Sequence, residues 1–230
     1  MLVVEPDGGC PLDRLGTWLA EELPGADILT CRPWAGDPVP ARSGADALLV
    51  LGGRMGAHDD DRHPWLPPLR RLLASAVDDA VPTLGICLGA QLLAAATGGA
   101  VERGDRGREA GVVDVRWTAA AVGDPLVGGL LDGPYPGPSM HQDAVTVLPP
   151  GSVWLGSTTD YPHQVFRVGT AAWGVQFHPE VSIGGFEAWA RLDLPEAAAA
   201  AAARALAERD DEVVRAGRRL AGRFATLVLP

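Results

Sequence analysis

Two stretches of this sequence carry side chains able to do covalent chemistry. The first, Pro82-Thr-Leu-Gly-Ile-Cys-Leu-Gly-Ala-Gln91, is an apolar run that ends in Gly-x-Cys-x-Gly and continues into a helix-compatible segment. This is the layout of a nucleophile elbow, a sharp strand-to-helix turn that projects one side chain away from the backbone. Gly85 and Gly89 suit the close approach of strand and helix at such a turn. Cys87, at the helix start, meets the positive end of the helix dipole, which favours thiolate over thiol. A buried structural cysteine is the competing reading, because most free cysteines behave as small apolar side chains.

The second stretch, Trp173-Gly-Val-Gln-Phe-His-Pro-Glu-Val181, is an apolar strand that ends at His178, with Glu180 two residues on. A thiol nucleophile needs a base, and the base needs a third group to hold its tautomer and orientation. Cys87, His178 and Glu180 supply all three. Alternatively, His178 caps a strand end and Glu180 opens the following helix.

The elements that must position these residues follow an α/β pattern. Short apolar runs, each the length of a buried parallel strand, alternate with helix-compatible stretches. Strands are predicted at 2–4, 26–30, 47–51 and 83–86, and helices over 12–22, from Pro64 to about 79, and over 89–97. Beyond Val101 the chain becomes β-prone, at 112–117, 144–148, 153–156, 164–168 and 171–177. Turn signals at Pro149-Pro150-Gly151 and Val168-Gly169-Thr170 suggest antiparallel hairpins added to the parallel sheet, hence a mixed sheet. After Glu180 the chain is helical, and the alanine-rich segment after Pro195 is expected to pack through Leu206, Val213, Val214, Leu220 and Phe224. One domain spanning 1–230 is expected, with 192–230 as a C-terminal helical extension.

Composition narrows the function. The 230 residues are 47% apolar and 21% charged, enough for a full core. The 19 basic residues, all arginines, against 29 acidic ones give a net charge of −10 without a basic stripe, which disfavours nucleic acid as a partner. Cys10, Cys31 and Cys87 form neither a disulfide framework nor a CxxC metal signature, so a reducing cytoplasm fits best. Neither a signal peptide nor a membrane span is predicted, the apolar run over 81–96 being interrupted and too short. His58 and His63 among Asp59, Asp60 and Asp61 read as a solvated acidic loop rather than a metal site. The seven tryptophans are scattered, and core packing is the default for each. Arg103, Arg106 and Arg108 form a small basic spot, read as a solvated loop.

LLVLGGRMGAHDDDRHPWL, PTLGICLGAQLLAAATGG and WGVQFHPEV together resemble the class I, triad-type glutamine amidotransferases. The likeness is strongest to the glutaminase domain of GMP synthetase and its stand-alone relatives. It implies a three-layer α/β/α, flavodoxin-like fold with a mixed, mostly parallel central sheet. By motif position it also implies Cys87 as nucleophile, His178 as general base and acid, and Glu180 as the group that orients His178. The N–H groups of Gly53 and Leu88 would form the oxyanion hole, and Gly52 and Gln91 would help hold glutamine. Ser139-Met-His-Gln-Asp143 stands where relatives carry a His-Gly-Asp segment near the substrate's amino-acid end. Met140 and His141 are therefore further substrate-binding candidates, although Gln142 replaces the glycine.

The implied activity is release of ammonia from the glutamine side chain through a glutamyl thioester, with neither cofactor nor metal. No Gly-rich phosphate loop is present, so the acceptor of ammonia is expected to be a separate synthetase subunit. Two alternatives keep the same fold: a hydrolase of γ-glutamyl amides or peptides, and a catalytically silent regulatory or binding module.

Overall fold

The computed structural model describes residues 1–229. The first half runs β1 (Leu2–Val4), α1 (Asp13–Glu22), β2 (Leu29–Cys31), β3 (Leu48–Val50), α2 (Leu66–Asp78), β4 (Thr83–Ile86) and α3 (Leu88–Ala96). Then come β5 (Ala100–Arg103), β6 (Glu109–Trp117), β7 (Tyr135–His141), β8 (Asp143–Val147) and β9 (Val153–Ser157). The chain closes with β10 (Val165–Val168), β11 (Ala172–Val175), α4 (Ile183–Asp193), α5 (Glu196–Glu208) and α6 (Asp210–Val228).

Nine strands form one mixed sheet in the order β2-β1-β3-β4-β11-β10-β9-β6-β7. The run from β2 to β11 is parallel, and β10, β9, β6 and β7 extend it antiparallel. Side chains alternate between faces along each strand. Val3, Leu49, Leu84 and Ile86 therefore face α1 and α6, packing with Leu15, Trp18, Leu19, Leu220 and Phe224. Leu2, Val4, Leu48 and Val50 face α2 and α3, packing with Leu69, Leu72, Leu73 and Leu92. The result is the expected three-layer α/β/α fold, with α4 and α5 around a third, smaller core.

Several expectations change. The 144–148 strand, β8, does not join the main sheet but pairs with β5 in a separate two-stranded ribbon. Strand β7, YPGPSMH, was not predicted because two prolines and a glycine argue against a strand. It is an edge strand, where missing N–H donors are tolerated. The C-terminal extension is two helices, α5 and α6, that meet at Arg209 (φ −115°, ψ 13°). Its packing is as expected: Leu206, Val213, Leu220 and Phe224 are buried, and Arg14 pairs with Asp210 at 2.6 Å. Trp34 and Trp154 are exposed at 46% and 44%, contrary to the core default. No described helix is long and apolar enough to cross a membrane.

Candidate active site

Strand β4 ends in the elbow, and the reasons for its glycines are visible. A Cβ on Gly85 would lie 2.6 Å from the Gly89 carbonyl carbon, and one on Gly89 would lie 2.1 Å from the Val50 carbonyl oxygen. The chain then turns through Cys87 at φ 51°, ψ −105°, a left-handed conformation that a non-glycine residue holds only under tertiary constraint. A bond from Cys87 N–H to the Val175 carbonyl (2.8 Å) supplies part of it, tying the elbow to the neighbouring strand β11.

That neighbour delivers the second group. Beyond β11, His178 donates its backbone N–H to the Pro138 carbonyl of β7 (2.7 Å). Its side chain donates from Nδ1 to Glu180 Oε1 at 2.6 Å, which leaves Nε2 for Cys87. Both side chains are sealed, His178 at 2% and Glu180 at 1% exposure. Burial pulls the His178 pKa down. The charges of Glu180 and Cys87, with hydrogen bonds to both, outweigh it and push the pKa up to about 10. The imidazole is boxed in by Trp189 of α4, whose ring centroid lies 4.6 Å away and whose Nε1 donates to the Gly9 carbonyl (2.7 Å).

Cys87, His178, Gly53, Gln91, Met140 and His141 line one cavity of about 230 Å³. Glu180 stands behind His178. Leu88 abuts Gly53, whose Cβ would come within 2.8 Å of Leu88 Cδ2, and neither N–H is matched to an acceptor among the described residues. Gly52 lies off the cavity wall, under the imidazole: a Cβ there would sit 2.8 Å from His178 Cε1. Gln91 donates to the Asp143 carbonyl (2.9 Å) and to Gln176 Oε1 (3.2 Å), so its amide is partly committed to the wall. His141 has both ring nitrogens engaged, with the Asp143 carbonyl and with Glu109 Oε2, each at 3.0 Å.

Other contributors were not foreseen. Glu109, which opens β6, accepts from Ser139 (3.0 Å), His141 (3.0 Å), Thr158 (2.7 Å) and Gln164 (2.7 Å). Burial raises its pKa, but these donors more than compensate and hold it below the usual glutamate value. Asp7 accepts from the N–H groups of Gly9 (2.8 Å) and Arg54 (3.0 Å), which anchors the Gly52-Gly53 loop from one side. Cys10 lines the cavity as well. Arg108 and Asp193, 3.7 Å apart, stand at its rim. None of these residues belongs to a short motif, and only the fold brings them in. The acidic loop is committed internally, Asp59 to the Gly56 N–H (2.9 Å) and Asp60 to Arg70 (2.6 Å).

An open α/β sheet with a cysteine elbow facing a buried His–Glu pair describes a class of protein, and the sequence agrees. Residues 37–189 match the model of the class-I glutamine amidotransferase family, and the chain belongs to that family. It is 36% identical over 140 residues to the glutamine-hydrolysing GMP synthase of Porphyromonas gingivalis, 60% of this chain and 26% of that one. To the GMP synthase of Thermus thermophilus it is 39% identical over 137 residues, 59% of this chain and 25% of that one. The chain thus spans about a quarter of the length of the curated relatives it matches. A solved glutamine amidotransferase from Methylobacillus flagellatus superposes with a TM-score of 0.85 at 25% identity, covering 99% of this chain and 94% of that one. Another, from Thermotoga maritima, shares the fold at a TM-score of 0.84 and 22% identity, over 97% and 96% of the two chains.

Proposed function

We propose that this chain hydrolyses the side-chain amide of glutamine, with Cys87, His178 and Glu180 as the catalytic triad. The observation that carries this reading is the strained elbow that aims Cys87 into the same cavity as a His178 locked by its 2.6 Å bond to Glu180. With the proton resting on His178, Cys87 is ready to attack as the thiolate. Sulfur bonds to the amide carbon, and the oxygen takes up the negative charge, met by the N–H groups of Gly53 and Leu88. His178 passes its proton to the amide nitrogen, the C–N bond breaks and ammonia leaves. Water then gives a proton to His178 and attacks the glutamyl thioester, the C–S bond breaks, and glutamate leaves the Cys87 thiolate beside the protonated His178. Glu180 keeps Nε2 of His178 aimed at the reacting atoms throughout.

Gln91, Met140 and His141 border the amino-acid end of the substrate, Met140 by contact and His141 by holding the Asp143 carbonyl in place. The relatives that are glutamine-hydrolysing GMP synthases support an acceptor synthetase, lying outside these residues, that consumes the ammonia.

Glutamate release from glutamine by the purified chain tests the reading, with Cys87→Ala as control. Parent turnover that drops by at least roughly a thousandfold in Cys87→Ala is the expected result. Turnover that survives Cys87→Ala refutes the assignment of the nucleophile. Parent activity on γ-glutamyl dipeptides but not on glutamine replaces the substrate and keeps the triad.

A further inference from the structure

The Tyr135 hydroxyl and Glu180 Oε2 are sealed polar atoms without a hydrogen-bond partner among the described residues. They share one neighbourhood. Tyr135 opens β7, and its ring centroid lies 4.7 Å from that of Phe177, the residue before His178. Tyr135 is 3% exposed and Glu180 1%, so neither atom finds bulk water. The other carboxylate oxygen, Oε1, is already held by His178. Burial and the charge of Glu180 both push the ionisation of Tyr135 upward, so the phenol keeps its proton and remains a donor. A buried donor without an acceptor therefore lies in the field of a buried charged acceptor that lacks a donor. Native interiors rarely leave either unmatched.

We propose that Tyr135 is a positioning residue for this site: its hydroxyl donates a hydrogen bond, directly or through one water, to Glu180 Oε2. The carboxylate is thereby gripped at both oxygens, one by the imidazole it orients and one by the edge strand of the sheet. The consequence for catalysis rests on the triad assignment made above. The hydrogen bond itself does not.

Tyr135→Phe removes one hydroxyl and keeps the ring against Phe177. Without the donor, the ionised form of Glu180 is less stabilised and its charge holds the His178 proton more tightly. The tighter hold on the His178 proton moves the alkaline limb of the pH–rate profile to higher pH, by about half a unit to one unit. The expected kcat for glutamine falls about three- to tenfold with KM little changed.

Two measurements need no turnover. In a Cys87→Ala background, the downfield proton resonance of His178 Nδ1–H shifts when Tyr135→Phe is added. The thermal midpoint of Tyr135→Phe falls by a few degrees, as loss of a hydrogen bond to a charged group requires. An unchanged Nδ1–H resonance together with an unchanged or higher midpoint means the hydroxyl is unmatched, and overturns the proposal. A chain that shows both shifts but no glutaminase activity keeps the hydrogen bond and loses only the assigned reaction.

Discussion

Gly52→Ala places one methyl group against the centre of the site. Its Cβ would stand 2.8 Å from His178 Cε1 and 3.7 Å from Cys87 Cβ. Carbon atoms rest at about 3.5–4.0 Å, so something must move by about 0.7–1.2 Å. The imidazole resists, being bonded to Glu180 at 2.6 Å and covered by Trp189. The loop resists too, because Leu51 N–H bonds the Val4 carbonyl (3.0 Å) and Arg54 N–H bonds Asp7 (3.0 Å). If the ring yields, a misplacement of about 1 Å costs about a hundredfold in kcat, or roughly 2.7 kcal/mol of barrier. If it holds, the strain appears as about 1–3 kcal/mol of lost stability.

The assay is glutamate release at saturating glutamine, paired with thermal unfolding and with alkylation of Cys87 followed by peptide mass analysis, which separates it from Cys10. Gly184→Ala is the control, since its Cβ meets nothing within 4 Å. A Gly52→Ala chain with parental kcat, parental alkylation rate and an unshifted midpoint would refute the packing argument, because the methyl group would then fit where the geometry leaves no room.

Three further expected outcomes concern Gly89, Glu109 and His178. Gly89→Ala drives a Cβ to 2.1 Å from the Val50 carbonyl oxygen, backbone that cannot step aside. Soluble yield and thermal midpoint are expected to fall sharply, by about 3 kcal/mol or more. Glu109 has a folded pKa depressed below its ordinary 4.5, so its contribution to stability is present above pH 4.5 and disappears as pH falls through the folded value. Acid unfolding curves of Glu109→Gln are therefore expected to be flatter below pH 4.5, with lower stability at pH 7 by about 1–3 kcal/mol. His178 has a folded pKa of about 10 against an ordinary 6.5, so its contribution is full below pH 6.5 and is lost as pH rises through 10. With no lysine in the chain to titrate alongside it, the fall in midpoint between pH 7 and 10 should be shallower in His178→Asn than in the parent.

How much of the site was legible depended on how local its cause was. The elbow is a local object: strand β4, Gly85, Cys87 and Gly89 lie within seven residues, and the steric need of the two glycines follows from that spacing. The His178–Glu180 pair is local as well. The α/β alternation and the hairpin at Gly169 were readable because strand and helix periods and turn chemistry are properties of short windows. Strand β7 was not, because its prolines signal against a strand and only its place at the sheet edge permits them. The break at Arg209 is followed by Asp210, Asp211 and Glu212, acidic residues that suit the first turn of α6, and α6 then packs on α1 with Gly217 opposite Trp18.

The sequence by itself therefore determined the family, the layered fold and the two motifs that carry the proposed chemistry. Only the tertiary structure decided what surrounds them. Trp189 over the imidazole, Glu109 behind His141, Asp7 under the Gly52-Gly53 loop and Tyr135 against Phe177 are each separated in sequence from the groups they touch. A buried carboxylate or hydroxyl has no sequence signature of its own, since its partners are chosen by which strands and helices the fold sets side by side.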